Sequence, residues 1–238
     1  MAEFFRRVEK KYILTQNQYI LLQKWIQEKM MEDYHGKSTI CNIYFDTNQY
    51  DFIRRSIEKP IFKEKIRLRS YNIPQNRDDP VYLEVKRKYE GIVSKRRIEM
   101  TLQQAKCYLQ NRPIQQGDSQ VEKELNYYFR QYPLQPSMFI SYLRRSYYDK
   151  ENNDLKITLD SHLLARNKEL TWEKGIFGDF LLDQEKYLME IKTLGAMPLW
   201  LTKIITDNRI YPCCFSKYGK AFVNLILKTN RKEKEKVI

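Results

Sequence analysis

Three short segments of this chain carry a charged side chain at every second position: Lys65-Ile66-Arg67-Leu68-Arg69, Glu84-Val85-Lys86-Arg87-Lys88 and Lys95-Arg96-Arg97-Ile98-Glu99. A period of two is the signature of a β-strand, because side chains i, i+2 and i+4 share one face. Lys65, Arg67 and Arg69 therefore line one surface, as do Glu84, Lys86 and Lys88. A row of like charges on neighbouring strands is unfavourable unless an anion neutralises it. Strands of similar pattern recur at Lys156-Ile157-Thr158-Leu159-Asp160 and Glu190-Ile191-Lys192. If such strands curl together, the result is a basic cavity containing a few carboxylates, a lining suited to a triphosphate or polyphosphate chain.

The overall balance agrees. There are 43 basic and 30 acidic residues for a formal net charge of +13, which steers anionic partners toward the chain. At 238 residues the chain can bury a full core as one domain. The cysteines Cys41, Cys107, Cys213 and Cys214 lack C-x-x-C spacing, and His35 and His162 are isolated, so neither a zinc site nor a disulfide framework is indicated. The beginning Met1-Ala2-Glu3-Phe4-Phe5-Arg6-Arg7 lacks the apolar stretch of a secretory signal, and no run of about 18 apolar residues occurs. These features predict a soluble, cytoplasmic protein.

Along the chain, a strand is expected over 4–14, then Thr15 as cap of a helix to about Met30 with Tyr19, Leu22 and Ile26 on one face. A strand over 40–45 precedes Asp46-Thr47, which caps a second helix. Long strands over 62–71 and 81–89 flank the turn-forming stretch 74–80, and Glu90-Gly91 turns the chain into a strand over 92–100. Thr101-Leu102-Gln103-Gln104 is a capping box for a helix to about Gln110. A polar segment over 111–119 precedes a helix over 120–131. Strands return over 138–148 and 155–164, joined by the turn Asn152-Asn153-Asp154. Irregular structure is expected over 169–178, strands over 180–182 and 187–192, a helix from Pro198 to about Thr206, and a last one capped by Ser216 that runs to about Leu227. The expected architecture is α+β: a closed antiparallel eight-stranded β-barrel, a tunnel, with helices packed outside. Residues 1–228 form its single domain, and 229–238 a charged tail.

A set of ordered motifs narrows the reading. Arg-Val-Glu-Lys-Lys-Tyr at 7–12, Ile-Tyr-Phe-Asp-Thr at 43–47, Lys-Ile-Arg-Leu-Arg-Ser-Tyr at 65–71 and Tyr-Leu-Glu-Val-Lys at 82–86 come first. Ser-Lys-Arg-Arg at 94–97, Tyr-Leu-Arg-Arg-Ser-Tyr-Tyr at 142–148, Lys-Ile-Thr-Leu-Asp at 156–160, Met-Glu-Ile-Lys at 189–192 and Phe-Ser-Lys-Tyr at 215–218 follow. In order and spread they resemble the polyphosphate-polymerase (VTC) domain of the triphosphate tunnel metalloenzymes, a CYTH-like superfamily. The resemblance implies catalytic cations at Arg67, Arg69, Lys86, Lys95 and Arg145, phosphate-binding cations at Lys11, Lys156, Lys217 and Arg97, and a divalent metal, Mn2+ or Mg2+, on Glu190. Two departures stand out. The superfamily's Glu-x-Glu-x-Lys signature reads Arg7-Val8-Glu9-Lys10-Lys11 here, and Cys214 occupies a position where relatives often carry lysine.

The implied activity is transfer of the γ-phosphoryl group of ATP onto a growing inorganic polyphosphate chain. Its partners would be ATP and polyphosphate. A membrane protein that takes up the polymer is a further partner the resemblance leaves open. An ionised phosphate end needs no general base, so alignment and charge stabilisation are what the protein supplies. A hydrolase must instead activate water, and the missing glutamate at Arg7 favours transfer. Glu9, Glu84, Glu99 and Asp160 then support the metal or neutralise neighbouring lysines. The alternatives are a triphosphatase or polyphosphatase of the same fold, or a non-catalytic module binding polyphosphate or nucleic acid. No nucleic-acid-binding motif is present, so that last partner rests on charge alone and is not expected.

Overall fold

The computed structural model describes residues 8–58, 60–90, 92–111, 119–150 and 154–229, without the side chains of His35 and Asn111. Arg7, Gly91 of the expected hairpin turn, most of the polar segment 111–119, Asn152-Asn153 and the tail from Asn230 lie outside the described residues. The strands are β1 (Val8–Leu14), β2 (Met30–Asp46), β3 (Phe62–Tyr71), β4 (Pro80–Tyr89), β5 (Ile92–Thr101), β6 (Gln135–Asp149), β7 (Leu155–Arg166), β8 (Asp179–Phe180) and β9 (Tyr187–Thr193). The helices are α1 (Gln16–Lys29), α2 (Asp51–Ile57), α3 (Leu102–Asn111), α4 (Gln120–Gln131), α5 (Leu199–Asp207) and α6 (Lys217–Phe222), the last running into a π-helical turn, Val223–Leu227.

The α+β, antiparallel character expected from the sequence is present. Closure is not. The hydrogen-bonded order is β1-β9-β7-β6-β2-β3-β4-β5 with β8 on β7 in a 9-stranded sheet, so the expectation of a closed eight-stranded barrel is corrected. Among the described residues the order has two ends, β1 and β5. The reason at β5 is visible in its composition: Lys95, Arg96, Arg97 and Glu99 are the charged residues with which an edge strand resists further pairing.

Helix and turn chemistry accounts for the elements. Thr15 caps α1 in a full capping box with Gln18, and Ser119 does the same for α4 with Glu122. Thr101 Oγ1 accepts from the Gln104 amide at 3.1 Å while Gln104 Oε1 accepts from the Thr101 amide at 2.9 Å, starting α3. Beyond β7, Arg166 shapes the irregular segment that follows it. Its guanidinium donates to the carbonyls of Glu169, Thr171, Gly175 and Phe177 at 2.8–3.2 Å. At Gly178, φ is +144° and a Cβ would stand 2.4 Å from the Ala165 carbonyl oxygen, so only glycine lets β8 approach β7 so closely.

The chain forms two compact units, Met1–Thr39 with Tyr142–Leu163 and Leu182–Phe215, and Ile40–Ser141 with Leu164–Leu181 and Ser216–Ile238. Each has its own core. In the first, Leu22 and Ile26 of α1 and Leu201 of α5 pack with Tyr12, Leu14, Leu155, Ile157, Leu159, Met189 and Ile191. In the second, Leu125 and Phe129 of α4 pack with Ile43, Phe45, Ile66, Leu68, Leu83 and Val85. In both, apolar residues alternate along the strands with polar ones, so burying one face directs the other face's charges away from the core.

Candidate functional site

In the second unit the polar face of β3, β4 and β5 can be read row by row from the register. Lys65 pairs with Lys86 and Lys86 with Lys95; Arg67 pairs with Glu84 and Glu84 with Arg97; Arg69 pairs with Tyr82 and Tyr82 with Glu99. β2 extends two of these rows, placing Tyr44 opposite Arg67 and Asn42 opposite Arg69. The predicted site residues Arg67, Arg69, Lys86, Lys95 and Arg97 thus share one face, opposite the core residues Ile66, Leu68, Leu83 and Val85.

A single carboxylate organises the centre of that face. Glu84, 1% exposed, accepts from Arg67 Nε at 2.8 Å, pairs with Arg67 Nη2 at 2.6 Å and with Lys95 Nζ at 3.5 Å. Burial alone would raise its pKa, but the charges of Arg67, Arg69 and Lys95 outweigh burial and hold it at about 2. Glu84 is therefore anionic at any physiological pH. Arg67 also donates from Nη1 to the Tyr44 hydroxyl at 3.2 Å. Buried Arg69 donates from Nε to Asn42 Oδ1 at 2.9 Å, and Asn42 is fixed in turn by donating to the Ile140 carbonyl at 3.1 Å. The Arg97 guanidinium lies 4.6 Å from the Tyr82 ring centroid, a cation–π contact. Lys65 Nζ donates to Ser216 Oγ at 2.8 Å, and Ser216 caps α6, of which Lys217 is the first residue.

The first unit has its own polar face on β1, β9 and β7. Lys11 pairs in register with Glu190 and Glu9 with Lys192; Thr158 pairs with Glu190 and Lys156 with Lys192. Lys11 Nζ stands 3.5 Å from both Glu9 Oε1 and Glu190 Oε1 and donates to the Phe215 carbonyl at 3.0 Å. Arg144 grips Asp160 bidentately, at 2.6 and 2.8 Å, and reaches Glu190 Oε2 at 3.8 Å. Burial opposes the Arg144 charge, yet Asp160 raises its pKa above the ordinary arginine value. Burial lowers the pKa of Lys192, with Glu190 and Glu9 acting against that shift.

Arg145 is not part of this face. It pairs with Glu32 at 3.6 Å and its guanidinium lies 5.9 Å from the Tyr147 ring centroid, while Arg144 contacts Asp160 and Glu190. Consecutive strand residues point to opposite sides, so Arg144 and Arg145 leave β6 on different faces. Asn42 lies in none of the quoted motifs, and Arg144, Lys192 and Tyr44 lie in them without having been given a site role.

Among the described residues no group of three or more His, Cys, Asp or Glu side chains gathers as a metal cage. The carboxylates of Glu9 and Glu190, both at Lys11, are nevertheless hard oxygen donors of the kind Mg2+ and Mn2+ take when one or two protein carboxylates are completed by phosphate oxygens and water. As a donor set, two carboxylates fit a divalent cation whose remaining ligands come from outside the protein.

Comparison with known families gives a match to the VTC domain over residues 6–226. The chain belongs to the VTC domain family. A crystal structure of a protein from Bacillus halodurans, assigned as an adenylate cyclase, is 14% identical with a TM-score of 0.55, covering 88% of this chain and 93% of that one. A protein from Vibrio parahaemolyticus with the same assignment is 12% identical at a TM-score of 0.49, covering 90% and 96%. One from Pyrococcus horikoshii is 16% identical at 0.48, covering 92% and 98%. Among curated proteins none matches. Among the described residues no helix is long and apolar enough to cross a membrane.

Proposed function

We propose that this VTC-family chain is a metal-dependent polyphosphate polymerase that transfers the γ-phosphoryl group of ATP to the end of an inorganic polyphosphate chain. The observation that carries the reading is the face of β3–β5, where Lys65, Arg67, Arg69, Lys86, Lys95 and Arg97 are set against only Glu84 and Glu99. Cations in such excess match a ligand carrying negative charge along its length. Arg67 and Arg69 offer planar forks that bridge phosphate oxygens, and Lys86, Lys95 and Lys217 offer compact charges along which a chain slides.

Glu190, with Glu9 beside it, would hold the divalent metal, which when bound neutralises charge on the transferring phosphoryl group. The residues' own part is alignment and charge stabilisation. Lys11 keeps the two carboxylates together, and Arg144 fixes Asp160 and approaches Glu190. Each of these carboxylates has a cationic partner, which supports transfer to an already ionised phosphate over activation of water.

The test is incubation of the purified chain with ATP and Mn2+, with and without a short polyphosphate primer, and a gel stained for polyphosphate. Long-chain product is expected. Release of orthophosphate without chain growth would select a triphosphatase instead, and steep salt-dependent polyanion binding with no turnover would select a binding module.

A further inference from the structure

The second unit contains a buried acid that the chemistry above does not use. Asp46, the last residue of β2, is 0% exposed. Its Oδ1 accepts from the amides of Thr47 and Phe52, each at 2.9 Å, and its Oδ2 from the amide of Ile53 at 3.0 Å and the hydroxyl of Tyr218 at 2.9 Å. The Phe52 and Ile53 amides belong to the first turn of α2, whose unpaired N–H groups the carboxylate satisfies. The phenol is different, because it comes from α6.

We propose that Tyr218, anchored by Asp46, is a positioning residue that fixes Lys65, Arg67 and Lys217 for the phosphate chain; the inference rests on the phosphate-chain reading above. Tyr218 is 2% exposed, and its ring stacks on Tyr44 with centroids 4.6 Å apart and planes at 21°. That stack holds the Tyr44 hydroxyl where Arg67 Nη1 reaches it at 3.2 Å. Ser137 Oγ reinforces the arrangement, lying 2.9 Å from the Tyr218 hydroxyl and donating to the Tyr44 carbonyl at 3.1 Å.

On α6 itself Tyr218 adjoins Lys217, and Ser216 receives Lys65 Nζ at 2.8 Å while capping the Gly219 amide at 3.1 Å. Tyr218 is the second residue of the helical run that starts at Lys217 and continues into the π-helical turn Val223–Leu227, so the direction in which Lys217 leaves its first turn depends on how that turn is held. The Tyr218–Asp46 hydrogen bond is the polar contact that holds it from β2. Without it, long cationic side chains must be ordered by the ligand, at the cost of binding energy.

The experiment is calorimetric titration of the full chain with inorganic tripolyphosphate, comparing the wild type with Tyr218→Phe and Tyr44→Phe. Tyr218→Phe keeps the stacked ring and loses the hydroxyl; its Kd should rise about tenfold with stoichiometry unchanged, the size of one hydrogen bond to a charged group. Tyr44→Phe, which loses only the contact to Arg67, should show a smaller rise, about threefold. A purely structural role would lower the fraction of binding-competent chains and leave Kd alone, and that result overturns the inference. If Tyr218→Phe does not fold, Tyr44→Phe decides, and a wild-type Kd there overturns it. A wild type that fails to bind tripolyphosphate refutes the phosphate-chain reading first and removes this inference with it.

Discussion

Replacing Glu84 by glutamine tests whether the cations of the β3–β5 face are neutralised internally before any ligand arrives. Glutamine preserves the shape of the side chain and removes its charge, leaving Arg67 and Arg69 without the carboxylate that now balances them. The pKa of Glu84 falls from an ordinary 4.5 to about 2 on folding, and at roughly 1.4 kcal/mol per tenfold change this corresponds to about 3 kcal/mol of stability at neutral pH. Because the folded-state pKa is depressed, that stability is fully present above pH 4.5 and is lost as pH falls toward 2. Urea denaturation should therefore place Glu84→Gln about 3 kcal/mol below the wild type at pH 7, and only about 1 kcal/mol below it at pH 3, where part of the wild-type advantage is already gone. Other carboxylates titrate in both proteins and cancel in the difference. Adding tripolyphosphate at pH 7 should stabilise the variant more than the wild type, since phosphate oxygens then supply the missing negative charge. An equal difference at both pH values would refute the electrostatic account of Glu84. Equal stabilisation by tripolyphosphate would refute the claim that ligand and carboxylate address the same cations.

Arg67→Ala and Arg69→Ala should each lower polymer synthesis by about ten- to a thousandfold, equivalent to ~1.4 to 4 kcal/mol of lost transition-state stabilisation, in a gel or coupled ATP assay. Arg144→Ala should cost about 3 to 5 kcal/mol in urea unfolding by stranding the charge of Asp160, which is 0% exposed. Arg145→Ala, whose partner Glu32 is half-exposed, should cost no more than about 1 kcal/mol in the same measurement. Glu190→Gln should abolish metal-dependent activity and weaken Mn2+ binding followed by electron paramagnetic resonance; wild-type Mn2+ affinity in that variant would move the metal elsewhere.

What could be read in advance depended on whether a strand has one apolar face. In β3 and β4 the alternation of Ile66, Leu68, Leu83 and Val85 with Arg67, Arg69, Glu84 and Lys86 leaves a single way to bury the apolar set, so the cationic face follows from the residues alone. β6 offers no such choice. Tyr142 lies beside Arg144 and Tyr147 beside Arg145, so aromatic residues occur on both sides and the pair Arg144-Arg145 does not declare which member faces the carboxylates. Closure was illegible for another reason: whether an edge strand finds a partner is decided by backbone groups, and these carry no residue signature beyond the charge that discourages pairing.

Long-range partners were hidden in the same way. Asp46-Thr47 was legible as the start signal of α2; the N-cap is Tyr50, and Asp46 accepts the first-turn amides of Phe52 and Ile53. Its bond to Tyr218 spans 172 positions of sequence and could not be inferred from either residue. The same limit applies to Glu84. Its position on the cationic face was readable from parity, but that it would be the buried counter-charge of Arg67 depends on register, which sets Arg67 opposite Glu84 and Lys65 opposite Lys86. A slip of two residues in one direction would keep every charge on the same face and yet pair Arg67 with Lys86. Alternation thus selects the face that gathers the cations, whereas register decides which of them are balanced within the fold, and it is that balance which the Glu84→Gln experiment measures.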